Sequence, residues 1–146
     1  MVEPWPDREP GVVVLPSGRR IRGRRLHAKP PSGATPTLAI HLAGRPPAEP
    51  PWEREWIRWR DFWVPADPAT ATRTLRLAHG RGHTERVEIA CGGGVGRTGT
   101  ALAAMCVFEG MEPNAAVGWV REHYHPRAVE VPWQRAYLRY VRRTSA

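Results

Sequence analysis

Val87-Glu-Ile-Ala-Cys91-Gly-Gly-Gly-Val-Gly-Arg97-Thr98-Gly99-Thr100 decides how this chain reads. A short apolar run ends in a thiol, and glycines fill four of the next five positions. An arginine and a threonine then close the turn before a helical pattern begins. Amides in such a turn converge into a nest for an anion, and the N-terminus of the following helix adds its partial positive charge. The donors that would hold a phosphate also stabilise a thiolate seated at the foot of the nest. The stretch therefore suits nucleophilic attack on phosphorus.

Three other readings compete for the same residues. Gly94-Val-Gly96-Arg-Thr-Gly99 has the letters of the dinucleotide fingerprint between a strand and a helix. The acidic residue that fingerprint wants about 20 positions on is missing, since Val117 to Tyr124 reads as another helix. Gly96-Arg97-Thr98 is similar to the end of a nucleotide-binding phosphate loop, but arginine stands for the lysine and Cys91 for the first glycine. A plain glycine-rich turn beside a buried cysteine is the third. A phosphate-ester site accounts for more of the pattern than any of them.

Two further segments bear on the choice. Upstream lies Trp59-Arg60-Asp61-Phe62-Trp63-Val64-Pro65, and downstream Arg127-Ala-Val-Glu-Val-Pro-Trp-Gln134. Cys-x5-Arg-Thr-Gly after an apolar strand resembles the signature loop of the protein tyrosine phosphatase superfamily, in its compact dual-specificity-like bacterial type. The upstream segment is similar to that family's Trp-Pro-Asp-x-x-x-Pro loop, with tryptophan, aspartate and last proline in register. The downstream one resembles the segment whose glutamine orients the hydrolytic water. Together the three span roughly residues 56 to 138. Two departures stand out: Ala90 occupies the position of the usual histidine before the nucleophile, and Arg60 replaces the proline of the acid loop. No tyrosine-containing recognition loop is visible, the tyrosines being Tyr124, Tyr137 and Tyr140.

The resemblance implies roles. Cys91 would attack phosphorus and form a cysteinyl-phosphate, and Arg97 would grip two phosphoryl oxygens in a fork that lysine cannot supply. The amides of Gly92, Gly93, Gly94, Val95, Gly96 and Arg97 would bind the remaining oxygens. Thr98 would hydrogen-bond the sulfur and help it leave. Asp61 would act as general acid and then base, with Gln134 positioning the water. Asp67 is the rival acid, although an N-cap before Pro68 explains it fully; Glu130 is an outside candidate. The chemistry needs no cofactor and no metal. The paired histidines His79/His83 and His123/His125 have few carboxylates beside them and read as turn and helix-end residues.

Composition bounds the rest. At 146 residues the chain is long enough for one core. Its formal charge is +8, carried almost entirely by arginine because Lys29 is the only lysine. The densest cluster, Arg19-Arg20-Ile-Arg22-Gly-Arg24-Arg25, alternates like a solvated strand edge and lacks interleaved aromatics, so nucleic acid is not an expected partner. Trp52, Trp56, Trp59 and Trp63 read as core and cleft walls. Cys106, in the apolar Ala101–Phe108 run, reads as a buried structural thiol, and two cysteines make no disulfide framework. No targeting segment is visible, and the longest apolar run, about eight residues, is too short to span a bilayer. A cytoplasmic setting suits a chain that needs a free thiol.

In outline, residues 11–26 read as a hairpin, 37–42, 56–59 and 87–90 as strands, and 68–80 and 98–109 as helices. Pro113 and Pro132 each open a further helix. The expected fold is α/β, a small central mixed sheet flanked by helices on both faces. Residues 1–10 are expected as an N-terminal extension and 11–146 as a single phosphatase-like domain. The expected substrate is a phosphorylated protein, most simply phosphotyrosine, then a small phosphate ester. Gly92 and Val95 stand where phosphoinositide-directed relatives carry lysines, which argues against a highly phosphorylated lipid. A non-catalytic phosphopeptide-binding module is the contrasting class. Oligomeric state does not follow from the sequence.

Overall fold

The computed structural model describes residues 2–145. Five strands, β1 (Val12–Val14), β2 (Arg20–Arg25), β3 (Leu38–Ala43), β4 (Glu53–Arg58) and β5 (Val87–Cys91), form one sheet in the order β1-β2-β5-β3-β4. Only β1 runs antiparallel to its neighbour; the other pairings are parallel. β5 lies between β2 and β3, and all five of its residues are buried. A strand covered on both edges and both faces is expected to be largely apolar, and in Val87–Cys91 only Glu88 departs from that, buried against Arg22 and Arg24.

Four helices follow the expected boundaries closely: α1 (Pro68–Arg81), α2 (Gly96–Phe108), α3 (Pro113–His123) and α4 (Pro132–Arg143). Proline opens α1, α3 and α4, where its missing N–H costs nothing. Asp67 caps α1 by accepting from the Thr70 N–H at 3.1 Å, a bond that holds its carboxyl below the usual range. α2 is buried along nearly its whole length, since α1, α3 and α4 pack around it. Its residues Leu102 and Met105 join Ile40, Leu42, Ile89, Leu75 and Leu138 in one apolar core. Each such side chain contributes about 1.5–3 kcal/mol on burial.

The α/β class and the mixed sheet flanked by helices are as expected. Successive strand residues face opposite sides of a sheet. On β2, Ile21 lies against the end of α1 at Gly82, and Gly23 against Tyr124 just after α3. Both ends of the helical layer thus meet the same face. The other face presents Arg22 and Arg24 around Glu88 of β5. Polar groups there offer no seat for a helix's apolar stripe, and the N-terminal segment covers them instead. Trp5 is fully buried, donates from Nε1 to the Val87 carbonyl at 2.9 Å, and sets its ring 4.2 Å from the Arg22 guanidinium.

That arrangement corrects the reading of residues 19–25 as a solvated edge. β2 is an interior strand, and Arg22 is 1% exposed because Glu88 and Glu9 pair with it. Among the described residues no helix is long and apolar enough to cross a membrane.

Candidate active site

β5 ends at Cys91, and residues 92–96 turn directly into α2. The thiol is buried, and Thr98 Oγ1, one turn into the helix, donates to its sulfur at 3.0 Å. Gly94 takes a φ of +70°, and a side chain there would run into the backbone of Arg24 and Arg25. Only glycine meets both conditions cheaply. The Tyr124 hydroxyl donates to the Gly94 carbonyl and fixes the turn from beneath. Burial pushes that phenol up, and the Cys91 sulfur and Glu88 carboxylate add to the effect.

Arg97 is 7% exposed, and its guanidinium is aimed by backbone. Nη1 donates to the carbonyls of Leu42 at 3.2 Å and Trp59 at 3.0 Å. Nε has no hydrogen-bond partner among the described residues, and Nη2 lies 3.6 Å from Asp61 Oδ1. The Nε–Nη2 edge is therefore the one left to receive two oxygens side by side, the geometry that favours arginine over lysine.

Asp61 arrives on the loop after β4. Its carboxylate accepts from the Phe62 N–H at 3.0 Å, and Phe62 adopts φ +57°, a left-handed conformation that costs about 1–3 kcal/mol in a non-glycine residue. Several tryptophans and a glutamine hold the loop there. Trp59 Nε1 donates to the Trp63 carbonyl at 2.7 Å, and Trp133 Nε1 to the Phe62 carbonyl at 2.6 Å. Gln134 is fully buried, its Nε2 donating to the Trp63 carbonyl at 3.1 Å and its Oε1 accepting from the Glu130 N–H at 2.8 Å. Glu130 itself packs against Gly96, where a Cβ would collide with the carboxylate.

The structure thus brings together Cys91, Thr98, Arg97, Asp61 and the turn amides of Gly92 through Arg97. Asp67 faces its own helix and stands apart from them. Gln134 reaches the acid loop through the backbone. Three of the histidines are engaged away from this site: His79 bonds Glu109 at 2.7 Å, His123 stacks on Trp119, and His125 accepts from the Arg127 N–H. Burial pushes the Cys106 thiol up to about 12, as befits a packing residue.

Sequence reasoning missed three neighbours. Tyr124 was visible only as a tyrosine near a helix end. His27, whose ring sits beside Gly92, and His41, buried on β3, carry no local motif; only pairing of β2 and β3 with β5 places them near Cys91.

The comparisons with known proteins agree with this geometry. A family model described as "Swiss Army Knife protein, DSP-PTPase phosphatase domain" matches residues 48–145. The crystal structure of Tk-PTP in its active form superposes with a TM-score of 0.63 at 25% identity, covering 74% of this chain and 79% of that one. A mutant form of Tk-PTP superposes equally well, at 24% identity, over 75% of this chain and 78% of its own. No curated protein matches. The family model extends from the loop before β4 to the end of α4, and so takes in the Trp59–Pro65 segment, the Cys91–Arg97 turn and the 127–134 segment together. The chain belongs to the Swiss Army Knife DSP-PTPase family and is a cysteine-dependent phosphatase.

Proposed function

We propose that the chain hydrolyses phosphate monoesters in two steps through a phosphate bonded to Cys91. The observation that carries this reading is the Thr98–Cys91 contact at 3.0 Å beside an arginine whose Nη1 is already held by backbone. In the first step the Cys91 thiolate attacks phosphorus in line and the P–O ester bond breaks. The leaving oxygen takes the Asp61 proton. In the second step water attacks the cysteinyl-phosphate, Asp61 takes a proton from it, and the S–P bond breaks to restore the thiolate, which Thr98 stabilises. The turn amides and the Nε–Nη2 edge of Arg97 bind the equatorial oxygens where charge develops. Gln134 serves the second step through the acid loop and the Glu130 backbone, both of which its amide holds.

Phosphotyrosine in proteins is the substrate we favour. Phe62, Trp63 and Trp133 are 52%, 54% and 43% exposed beside Asp61, and the last two rings lie 5.6 Å apart. Exposed aromatics at the rim suit a planar phenyl ester. Free thiols at Cys91 and Cys106 suit a reducing cytoplasm.

The test is turnover of p-nitrophenyl phosphate without added metal. We expect vanadate to inhibit it, Cys91→Ser to abolish it, and acid-quenched wild type to carry a phosphate adduct on Cys91. Activity that survives Cys91→Ser overturns the reading. Asp61→Asn is expected to lower kcat by about 10²–10⁴-fold, while Asp67→Asn should act on stability alone. The reverse result would move the acid to Asp67.

A further inference from the structure

The steps above make no use of a cavity of about 450 Å³ that opens beside the phosphate loop. Gly92 and Arg97 line it on the loop side, and Arg24, His27, His41 and Trp52 form other walls together with Pro47, Pro50 and Pro51. Its volume falls within the range of small-molecule sites. Among the described residues that line it there is no carboxylate. Because Gly92 and Arg97 are shared, whatever occupies the cavity lies next to a phosphate held on the loop.

Several donors in its walls have no hydrogen-bond partner among the described residues. His41 is 2% exposed, and its Nδ1 faces Arg54 Nη1 at 3.3 Å. A guanidinium only donates, so Nδ1 is the acceptor and the ring proton sits on Nε2. Among the described residues that Nε2–H has no hydrogen-bond partner, and neither has the indole N–H of Trp52. Arg24 Nε lies at ion-pair distance from Glu88, 3.0 Å, without hydrogen-bond alignment. Burial, with the charges of Arg54 and Arg24, brings the His41 imidazole down to about 4, so near neutral pH it is an uncharged donor. A buried donor left without an acceptor destabilises the site until one is supplied. Walls built this way discriminate strongly for a ligand that supplies oxygens, and the positive field around His41 favours one that is anionic.

We propose that this cavity is a substrate subsite for a second oxyanionic group, phosphate or carboxylate, carried on the leaving-group side of the ester cleaved at Cys91. The proposal rests on the phosphatase reading of Cys91 and adds a substrate class to it. Trp52 and the three prolines supply an apolar wall for the carbon skeleton joining the two groups.

Binding separates this proposal from the reading beneath it. Calorimetry on Cys91→Ser protein would compare phenyl phosphate with fructose 1,6-bisphosphate, and phosphotyrosine peptides with and without a glutamate next to the phosphotyrosine. We expect the doubly anionic member of at least one pair to bind tenfold tighter or more. The sugar pair reports a small bisphosphate as the source of the second group; the peptide pair reports an acidic residue. Adding Trp52→Phe, or His41→Leu, should remove most of that advantage while the singly anionic ligand loses less. Equal binding within both pairs overturns the subsite, as does an advantage that survives both substitutions. Wild-type turnover of p-nitrophenyl phosphate with equal binding sinks the subsite alone. Loss of phosphate binding together with absent turnover sinks the phosphatase reading as well.

Discussion

Adjacent residues on β5 face opposite environments. Ile89 belongs to the apolar cluster under the helices. Glu88, equally buried, lies among Arg22, Arg24 and the N-terminal segment on the other face. The alternation repeats across the sheet: Ile21 against Arg22 on β2, Leu42 against His41 on β3. One face supplies cohesion through contact area, which tolerates changes of shape. The other is a set of paired charges in which each member is needed by the next, and it runs from Glu9 and Trp5 to the cavity beside Cys91. A sheet can thus carry its core on one side and a polar scaffold for substrate on the other.

Conservative substitutions should split the two faces. Glu88→Gln keeps the volume and removes the charge that Arg22 and Arg24 share. Leaving buried guanidinium groups uncompensated typically costs about 3–5 kcal/mol. Ile89→Val, one residue away, should cost only about 0.5–1.5 kcal/mol. Urea unfolding of both variants measures the difference. Equal losses would mean that the ion network contributes no more than packing, and the two faces would cease to be distinct.

The N-terminal cover offers a smaller break. Trp5→Phe retains the ring over Arg22 but loses the 2.9 Å bond to the Val87 carbonyl. A net loss of about 1 kcal/mol is expected, and amide exchange on β2 and β5 should quicken. If stability is unchanged while Trp5→Ala is costly, the indole acts there only by covering area.

How much of this the sequence disclosed depended on distance along the chain. Cys91, Arg97 and Thr98 fall within eight consecutive residues whose glycines announce a tight turn, so the nest was legible from local rules. Asp67, Pro113 and Pro132 marked helix starts for equally local reasons. Arg22 and Arg24 were misread because a strand of alternating arginines looks the same whether its polar side meets water or a buried carboxylate. The partner, Glu88, lies 66 residues from Arg22. His41 gave no signal and Trp52 read only as a core or cleft-wall residue, since an unsatisfied donor is a property of three-dimensional surroundings. What covers each face of the sheet was hidden for the same reason: periodicity shows that a strand is buried, not what buries it.

The same contrast can also be drawn through pH. His41 titrates at about 4 in the folded chain against 6.5 for the free side chain. Below pH 6.5 the unfolded chain takes up a proton that the folded one refuses, so the unfolded state binds more protons and folding weakens as pH falls. His41's contribution is therefore fully present above about pH 6.5 and is lost progressively down to about pH 4, where the native imidazole also protonates. His41→Gln removes this contribution while leaving the carboxylates in place. The loss of stability between pH 7 and pH 4.5 should accordingly be smaller in the variant than in wild type, measured by thermal melting at matched ionic strength. Ile89→Val, on the apolar face, should leave the wild-type pH dependence intact. Parallel pH curves for wild type and His41→Gln would show that the imidazole is as free to ionise in the fold as in water. The Nε2 hydrogen would then not be confined as a neutral donor beside the phosphate loop.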